Sequence, residues 1–476
     1  MIAQGKDRHK SVEYLESHKI NSNLNRIGFI SSIGGLLFGI DTGVINGSLS
    51  YMSAPSQLNL SSSEEGLVTS GITLGAAVGA LIIGKLSDRY GRKKMLFWLS
   101  FVFFFCTLFC SIAPNAIFLI IFRFLLGLAV GGASVLVPTF LSEISPAETR
   151  GRMVTRNELM IVSGQLIAFI FNAILGASFD NVGHIWRYML GFGMVPAAFL
   201  FLGMMAVPES PRWLIMHHRN DEALSVLRSV RDSDSKCQTE FREIETSIEK
   251  NNNIKKMSFK DLNIPWVRKL VLIGIGVGVM QQIIGINIMM YYGTSILMVA
   301  GFGHEAALVA NIGNGVISVL ATIVGMKLMI HNGRRKLLLS GITGTSISLI
   351  LMSLVTKYMI GSSLMPYTVI LLTMTFLGFF QGCISPIVWL LLSEIFPQEL
   401  RGMAMGFATF FLWGSNFLVG YFFPILVDKL GISSTFAIFV ICNIISFVFA
   451  YKFAPETMNK SLEEIQESFK NGKESK

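Results

Sequence analysis

The chain alternates long apolar runs with short polar punctuation. Runs of about 20 apolar residues, the length that crosses roughly 30 Å of hydrocarbon as an α-helix, fall at 25–48, 66–86, 95–113, 116–140, 157–177, 187–207, 268–300, 305–330, 336–360, 366–392, 403–427 and 432–453. None shows the two-residue alternation of a barrel strand. The pattern therefore predicts an all-α membrane protein with twelve transmembrane helices. A long polar interruption at 208–267 divides the runs six and six. Within it Leu224, Leu227, Val230, Ile244 and Ile248 recur between charges, the spacing of short amphipathic helices. The predicted layout is an N-terminal segment at 1–24, a six-helix bundle at 25–207, a linker at 208–267, a second bundle at 268–453 and a tail at 454–476.

Composition agrees with this pattern. Of 476 residues, 52% are hydrophobic and only 14% charged, against about 25% charged in soluble domains. A net charge of +9 would point to nucleic acid in a soluble chain. Here the basic residues gather in short loops, so no nucleic-acid partner is expected and the charge reads as an orientation signal. Asp88-Arg89-Tyr90-Gly91-Arg92-Lys93-Lys94 and Glu148-Thr149-Arg150-Gly151-Arg152 are basic, whereas the 51–65 loop carries Glu64 and Glu65 and no Lys or Arg. The positive-inside rule then predicts a multi-pass protein of the cell membrane with both termini cytoplasmic. No short apolar segment with a small-residue cleavage site precedes the first run, which is expected to be retained. The five cysteines include no CxxC pair, so neither a disulfide framework nor a metal site is indicated, and Cys106 and Cys110 share a helix face as packing or lipid-facing residues. A P-loop, a metal-spaced His cluster and a Ser-His-Asp order are all missing, and His217-His218 falls in the linker. No enzyme activity and no cofactor are expected.

The two halves repeat. Leu141-Ser142-Glu143-Ile144-Ser145-Pro146-Ala147-Glu148-Thr149-Arg150-Gly151 recurs as Leu392-Ser393-Glu394-Ile395-Phe396-Pro397-Gln398-Glu399-Leu400-Arg401-Gly402. Gly91-Arg92-Lys93 answers Gly333-Arg334-Arg335, and Pro208-Glu209-Ser210 answers Pro455-Glu456-Thr457. Three ordered matches at near-constant spacing indicate a duplicated six-helix unit, an architecture that places substrate at the midplane between the halves.

Polar residues inside the apolar runs carry the candidate chemistry. Gln281-Gln282-Ile283-Ile284-Gly285-Ile286-Asn287-Ile288-Met289-Met290-Tyr291-Tyr292 sets three amides, two phenols and a helix-breaking Gly inside the seventh run. Unsatisfied polar groups cost several kcal/mol each in hydrocarbon, on the order of 2–7. The stretch fits either a ligand wall or interhelical hydrogen bonds worth about 0.6 kcal/mol each. Asp41 and Arg123 lie within the first and fourth runs. Each would cost about 2.5–3.5 kcal/mol alone, which invites pairing. Glu143, Arg150, Glu394 and Arg401 sit at helix ends, where carboxylate–guanidinium pairs lock one conformation and release in another. Ordinary surface pairing, worth about 0–1 kcal/mol, is the alternative.

Gly84-Lys85-Leu86-Ser87-Asp88-Arg89-Tyr90-Gly91-Arg92-Lys93-Lys94 resembles the loop signature of the major facilitator superfamily. Pro208-Glu209-Ser210-Pro211-Arg212-Trp213-Leu214, the Gln281–Tyr292 stretch and Pro455-Glu456-Thr457 resemble its sugar porter branch, and together these motifs cover nearly the whole chain. The runs from Glu158 to Gly176 and from Gly313 to Thr322 are most similar to bacterial myo-inositol/proton symporters. The resemblance implies two pseudo-symmetric six-helix bundles, alternating access by a monomer in membrane lipid, and a small polyol or sugar moved together with a proton. Other members of the branch carry hexoses or pentoses, act as passive facilitators, or serve as sugar sensors.

Carried over by position, the resemblance assigns substrate contact to Gln165, Gln281, Gln282, Asn287, Tyr291 and Trp389. Asn314, Ser318, Gln381 and Asn416 are candidates where the chain departs from the family pattern: Ser318 replaces a common Asn, and Leu412, followed by Trp413, replaces a common Gln or Asn. The resemblance assigns proton coupling to Asp41 with Arg123. It assigns a cytoplasmic gating network to Asp88, Arg92, Glu143, Arg150, Glu209, Arg212, Arg334, Glu394, Arg401 and Glu456. Ile330 stands where the family has an acid before the second Gly-Arg-Arg, which predicts a thinner network in the second half.

Overall fold

The computed structural model describes residues 2–179, 182–253, 259–458 and 464, and every regular element among them is helical. The first half comprises α1 (Ile2–Met52), α2 (Ser62–Tyr90), α3 (Arg92–Ser111), α4 (Ala116–Ile144), α5 (Ala147–Phe179), α6 (Ile185–Gly191) and α7 (Met194–Met205). The linker forms α8 (Pro211–Met216), α9 (Asn220–Val230), α10 (Asp234–Asn253) and a 3-10 turn (Phe259–Asn263). The second half comprises α11 (Pro265–Ile283), α12 (Ile286–Val299), α13 (His304–His331), α14 (Arg334–Tyr358), α15 (Met365–Phe379), a π turn (Phe380–Ile384), α16 (Ser385–Ile395) and α17 (Gln398–Phe453).

The hydropathy runs and the helices correspond, with departures that have local causes. The sixth run is α6 and α7 end to end. The eleventh and twelfth runs are fused in α17, which turns sharply at Gly431. There φ is 77°, a backbone region only glycine enters without penalty. The seventh run breaks at Gly285, whose φ of 103° ends α11 and starts α12. The tenth run widens into the π turn at Gln381, where Pro386 has no N–H to return to the Gly382 carbonyl. Helix α1 starts at Ile2, ahead of its membrane-length part at Ser22–Met52, so the segment expected at 1–24 is helical from Ile2 onward. Most of the tail, 459–463 and 465–476, lies outside the described residues, as does 254–258 of the linker.

In the first half α1 packs on α5, α2 on α4 and α3 on α7. In the second, α17 packs on α11 and α14, and α14 on α15. The halves meet chiefly where α2 packs on α17, α5 on α13 and α1 on α12. The α1–α5 seam is so close that a Cβ on Gly39 would stand 1.9 Å from the Ile161 carbonyl oxygen. Lipid tails offer no hydrophobic gain for helix association, so this small-residue contact supplies the packing itself. Cys106 and Cys110 are both buried between helices, so packing is their place.

Gly39→Ala is expected to destabilise the protein by about 1–3 kcal/mol through overpacking, seen as a lower melting midpoint in detergent. Gly84→Ala, where a Cβ meets nothing within 4 Å, is expected to leave the midpoint unchanged or raise it. Equal effects from the two would contradict the packing account.

Candidate substrate site and coupling pair

The break at Gly285 exposes a wall of amides. Gln281 and Gln282 occupy the last turn of α11, Asn287 and Tyr291 the first turns of α12, and all four are buried. Asn287 Nδ2 donates to Gln282 Oε1 at 2.5 Å, and Gln282 Nε2 to Gln281 Oε1 at 3.3 Å. The break thus lets side chains from two helix ends bond across a gap that a continuous helix would fill with backbone.

Among the described residues several buried polar atoms on the helices that meet this wall have no hydrogen-bond partner, Gln165 Oε1, Asn314 Oδ1 and Trp413 Nε1, while the Tyr291 hydroxyl and the Asn416 amide face each other. An unpaired buried polar group costs about 1–3 kcal/mol, so such a set in a membrane interior is a candidate site for a polar ligand. Tyr291 lies beside Asn416 and within electrostatic reach of Asp41 and Arg123. Ser318 donates to the Asn314 carbonyl within its own helix at 2.8 Å, leaving its lone pairs free. Gln381 is buried on the π turn, which packs against α13 and α14. Trp389 packs against a small cluster of Ala76, Ala77, Leu412 and Trp413, with Phe38 edge-on to Trp413 at 5.5 Å. Leu412, where the sequence loses an amide, is therefore an apolar strut between the halves.

Asp41 and Arg123 form a two-pronged ion pair. Arg123 Nη1 meets Asp41 Oδ1 at 2.9 Å, Nη2 meets Oδ2 at 3.2 Å, and Nε donates to the Val68 carbonyl at 2.7 Å. The arginine is 0% exposed and the aspartate 6%. Each charge is satisfied, and removing one partner would strand the other at a cost of about 3–5 kcal/mol.

The two ends of the molecule differ. At the end carrying Met52, Asn46 ties α1 to the second half: its Nδ2 donates to the Met290 carbonyl at 2.6 Å, and its Oδ1 accepts from Thr294 N at 3.0 Å and Asn311 Nδ2 at 3.0 Å. Asn314 Nδ2 then donates to Asn311 Oδ1 at 2.8 Å, so this knot runs directly to an unpartnered site atom. Ser50 and His304 bond at 2.7 Å beside it.

At the basic end the repeated motifs build matching networks within each half. Arg92 is held by Glu143 at 3.0 Å and Asp88 at 3.1 Å, while Glu209 accepts from Arg92 N at 2.9 Å. Ser210 donates to Glu143. In the second half Arg334 meets Glu394 at 3.6 Å, Glu456 accepts from Arg334 N at 2.9 Å, and Thr457 donates to Glu394. The second network is looser, and it has no counterpart of Asp88 because Ile330 stands there. Expected pairing fails in three places. Arg401 donates to the Phe396 carbonyl at 3.3 Å, the freed acceptor at the end of α16, and not to a carboxylate. Arg150 and Arg212 meet no carboxylate among the described residues; they line a polar cavity of about 820 Å³ under the linker helices, which contains none of the central amides. Among the described residues no ion pair joins Glu143, Arg150 or Arg212 to Glu394, Arg401 or Glu456 across the halves.

Sequence reasoning missed two polar groups. Asn46 reads as one amide in an apolar run, and only the approach of α12 gives it partners. Glu158 is the other. On α5, Asn157, Ile161 and Ala168 face the glycines of α1, while Leu166 and Phe169 meet Gly315 of α13. Glu158 lies seven residues before Gln165, about 20° away around the helix, and so falls between these two stripes, toward the central axis. It makes no hydrogen bond or ion pair with any described residue. The seven-residue spacing was the available signal.

Comparison with known proteins agrees with this fold. Residues 27–469 match the family model described as "Sugar (and other) transporter". The chain is 53% identical to the putative metabolite transport protein YncC of Bacillus subtilis over 95% of this chain and 96% of that one. It is 53% identical to the major myo-inositol transporter IolT of the same organism, over 94% and 95%. Among solved structures, the xylose transporter XylE of E. coli in a partially occluded inward-open conformation superposes with a TM-score of 0.81 at 26% identity, covering 92% of this chain and 100% of that one. The same transporter, described as a proton:xylose symporter, superposes with a sugar analogue bound at a TM-score of 0.77 and 27% identity, over 94% and 99%. With its paired six-helix halves, its central amide wall and these full-length matches, the chain belongs to the sugar (and other) transporter family of the major facilitator superfamily.

Proposed function

We propose that this transporter takes up myo-inositol together with a proton by alternating access, as a monomer in the cell membrane with both termini in the cytoplasm. The observation that carries the reading is the set of unpartnered buried polar atoms around Gln281–Tyr291. A cyclitol bears a hydroxyl on every ring carbon, and each hydroxyl both donates and accepts. Amide and phenol groups converging from α5, α12, α13 and α17 suit such a ring from several directions, and the Trp389 indole suits its C–H face. Glu158 adds a carboxylate on the same path. The similarity to IolT supports this substrate.

Coupling is assigned to Asp41. Ionised, it holds Arg123; protonated, it loses the charge that the arginine answers, and α1 is freed to move against α4. One charge moved through about 100 mV is worth roughly 2.3 kcal/mol, and 1.4 kcal/mol is tenfold, so one proton per sugar supports accumulation of about fifty-fold. By the positive-inside rule the basic end is cytoplasmic. The Asn46 knot then closes the outside, and the unlinked networks leave the inside free to open.

Radiolabelled myo-inositol uptake by transporter-deficient cells expressing this chain is expected to be concentrative, abolished by a protonophore, and only weakly inhibited by glucose or xylose. Uptake of a hexose with none of myo-inositol would overturn the substrate, and indifference to the protonophore would overturn the coupling. Asp41→Asn is expected to lose accumulation while retaining exchange of labelled for unlabelled sugar; accumulation that survives the substitution contradicts the assignment. Glu158→Gln is expected to raise KM about fivefold, the difference of about 1 kcal/mol between a charged and a neutral hydrogen bond. An unchanged KM would remove Glu158 from the path.

A further inference from the structure

Where α11 gives way to α12, the helix hydrogen-bond ladder is interrupted. Ile288 N donates to the Gly285 carbonyl at 3.2 Å, so the Ile284 carbonyl loses its intrahelical donor at membrane depth. Its replacement comes from outside the seventh span. Asn443, 0% exposed and on the α17 stretch that follows Gly431, donates through Nδ2 to the Ile284 carbonyl at 3.0 Å. The same nitrogen donates to the Phe439 carbonyl of its own helix at 2.8 Å, and Oδ1 lies 2.9 Å from Thr345 Oγ1 of α14, whose single proton it shares with the Ile342 carbonyl at 3.0 Å. Thr345 is also 0% exposed. Phe439, one turn before Asn443, closes over Gly285 itself: a Cβ there would lie 3.4 Å from its ring.

We propose that Asn443, held by Thr345, is a positioning residue for transport. It pins the hinge between the two amide-bearing halves of the seventh span, so that α12 swings about a fixed point. The carbonyl it caps lies between Gln282 and Asn287, and the helix that swings carries Tyr291 and the Asn46 contacts at Met290 and Thr294. An apolar residue at 443 leaves the Ile284 carbonyl without a partner where no water can replace it. The hinge then relaxes toward a continuous helix or a disordered turn, and α12 closes over substrate in the wrong register. The candidate contacts on α5, α11, α13 and α17 stay in place, so binding changes less than the closing and reopening of α12, which slow.

The inference rests on membership of the transporter family and not on the identity of the sugar. It is therefore tested with whichever of myo-inositol, D-xylose and D-glucose the wild-type chain takes up fastest. Full-length Thr345→Val, Thr345→Ser, Asn443→Leu and Ser446→Ala transporters are purified and reconstituted, and sugar binding in detergent is compared with counterflow rate in liposomes. Ser446 is an equally buried hydroxyl on the same helix that bonds only within it, to the Cys442 carbonyl, and serves as the control. Thr345→Val is expected to slow counterflow about fivefold and Asn443→Leu about tenfold or more, with dissociation constants within about threefold of wild type. Thr345→Ser, which keeps the hydroxyl, is expected to restore the rate, and Ser446→Ala to leave it unchanged. If Asn443→Leu does not fold, the Thr345 pair decides. Wild-type counterflow in Thr345→Val, an equal loss in Thr345→Ser or Ser446→Ala, or a loss confined to binding would each overturn the proposal.

Discussion

Hydrocarbon offers no hydrogen-bond partner, and that constraint governs every departure from regular helix in this protein. Twelve spans satisfy their backbones internally. The exceptions include Gly285 at the break in the seventh span, the π turn at Gln381 before Pro386, the join of α6 and α7 in the sixth, Pro138 inside α4, Pro424 inside α17, and Gly431 where two spans meet. The first two carry or flank the candidate sugar contacts. The polar groups a transporter needs are thus found where the helix has already been interrupted, and the interruption is stabilised by side chains from outside the site.

The same constraint explains the buried charges. Asp41 and Arg123 meet in two-pronged geometry, with the Nε–H on a backbone carbonyl, so each guanidinium nitrogen has a partner. A proton arriving at Asp41 is, on the proposed reading, the one event that changes this balance without breaking a covalent bond. The repeated networks at the basic end are the surface counterpart. Each half closes its own loop around Arg92 or Arg334, and Arg150 and Arg401, which the repeat presents for pairing at the helix ends, meet no carboxylate among the described residues.

Much of this was legible in the sequence. Span count followed from hydropathy because a membrane helix must be long and apolar, and the duplication followed from motifs whose geometry is now seen to match, Glu209 and Ser210 with Glu456 and Thr457. The amides at 281, 282 and 287 stood out because their neighbours are apolar. Less visible were interactions that need three dimensions. Asn46 and Asn443 are lone amides in apolar runs, indistinguishable from each other until α12 and Ile284 approach them. Glu158 was passed over because its meaning depends on which face of α5 meets α1. The Gly431 turn was visible only as a boundary between two runs, since Asp428-Lys429 and Ser433-Ser434 mark where the spans part but not that one glycine reverses the chain.

The central claim is that this chain moves a polyol and a proton in one cycle through the space between its halves. Its most direct measurement is lumenal pH in proteoliposomes loaded with a pH-sensitive dye, recorded as myo-inositol is added outside without any imposed gradient. The account predicts lumenal acidification that follows sugar entry in wild type and is lost in Asp41→Asn. Sugar entry at full rate with no change in lumenal pH would contradict it.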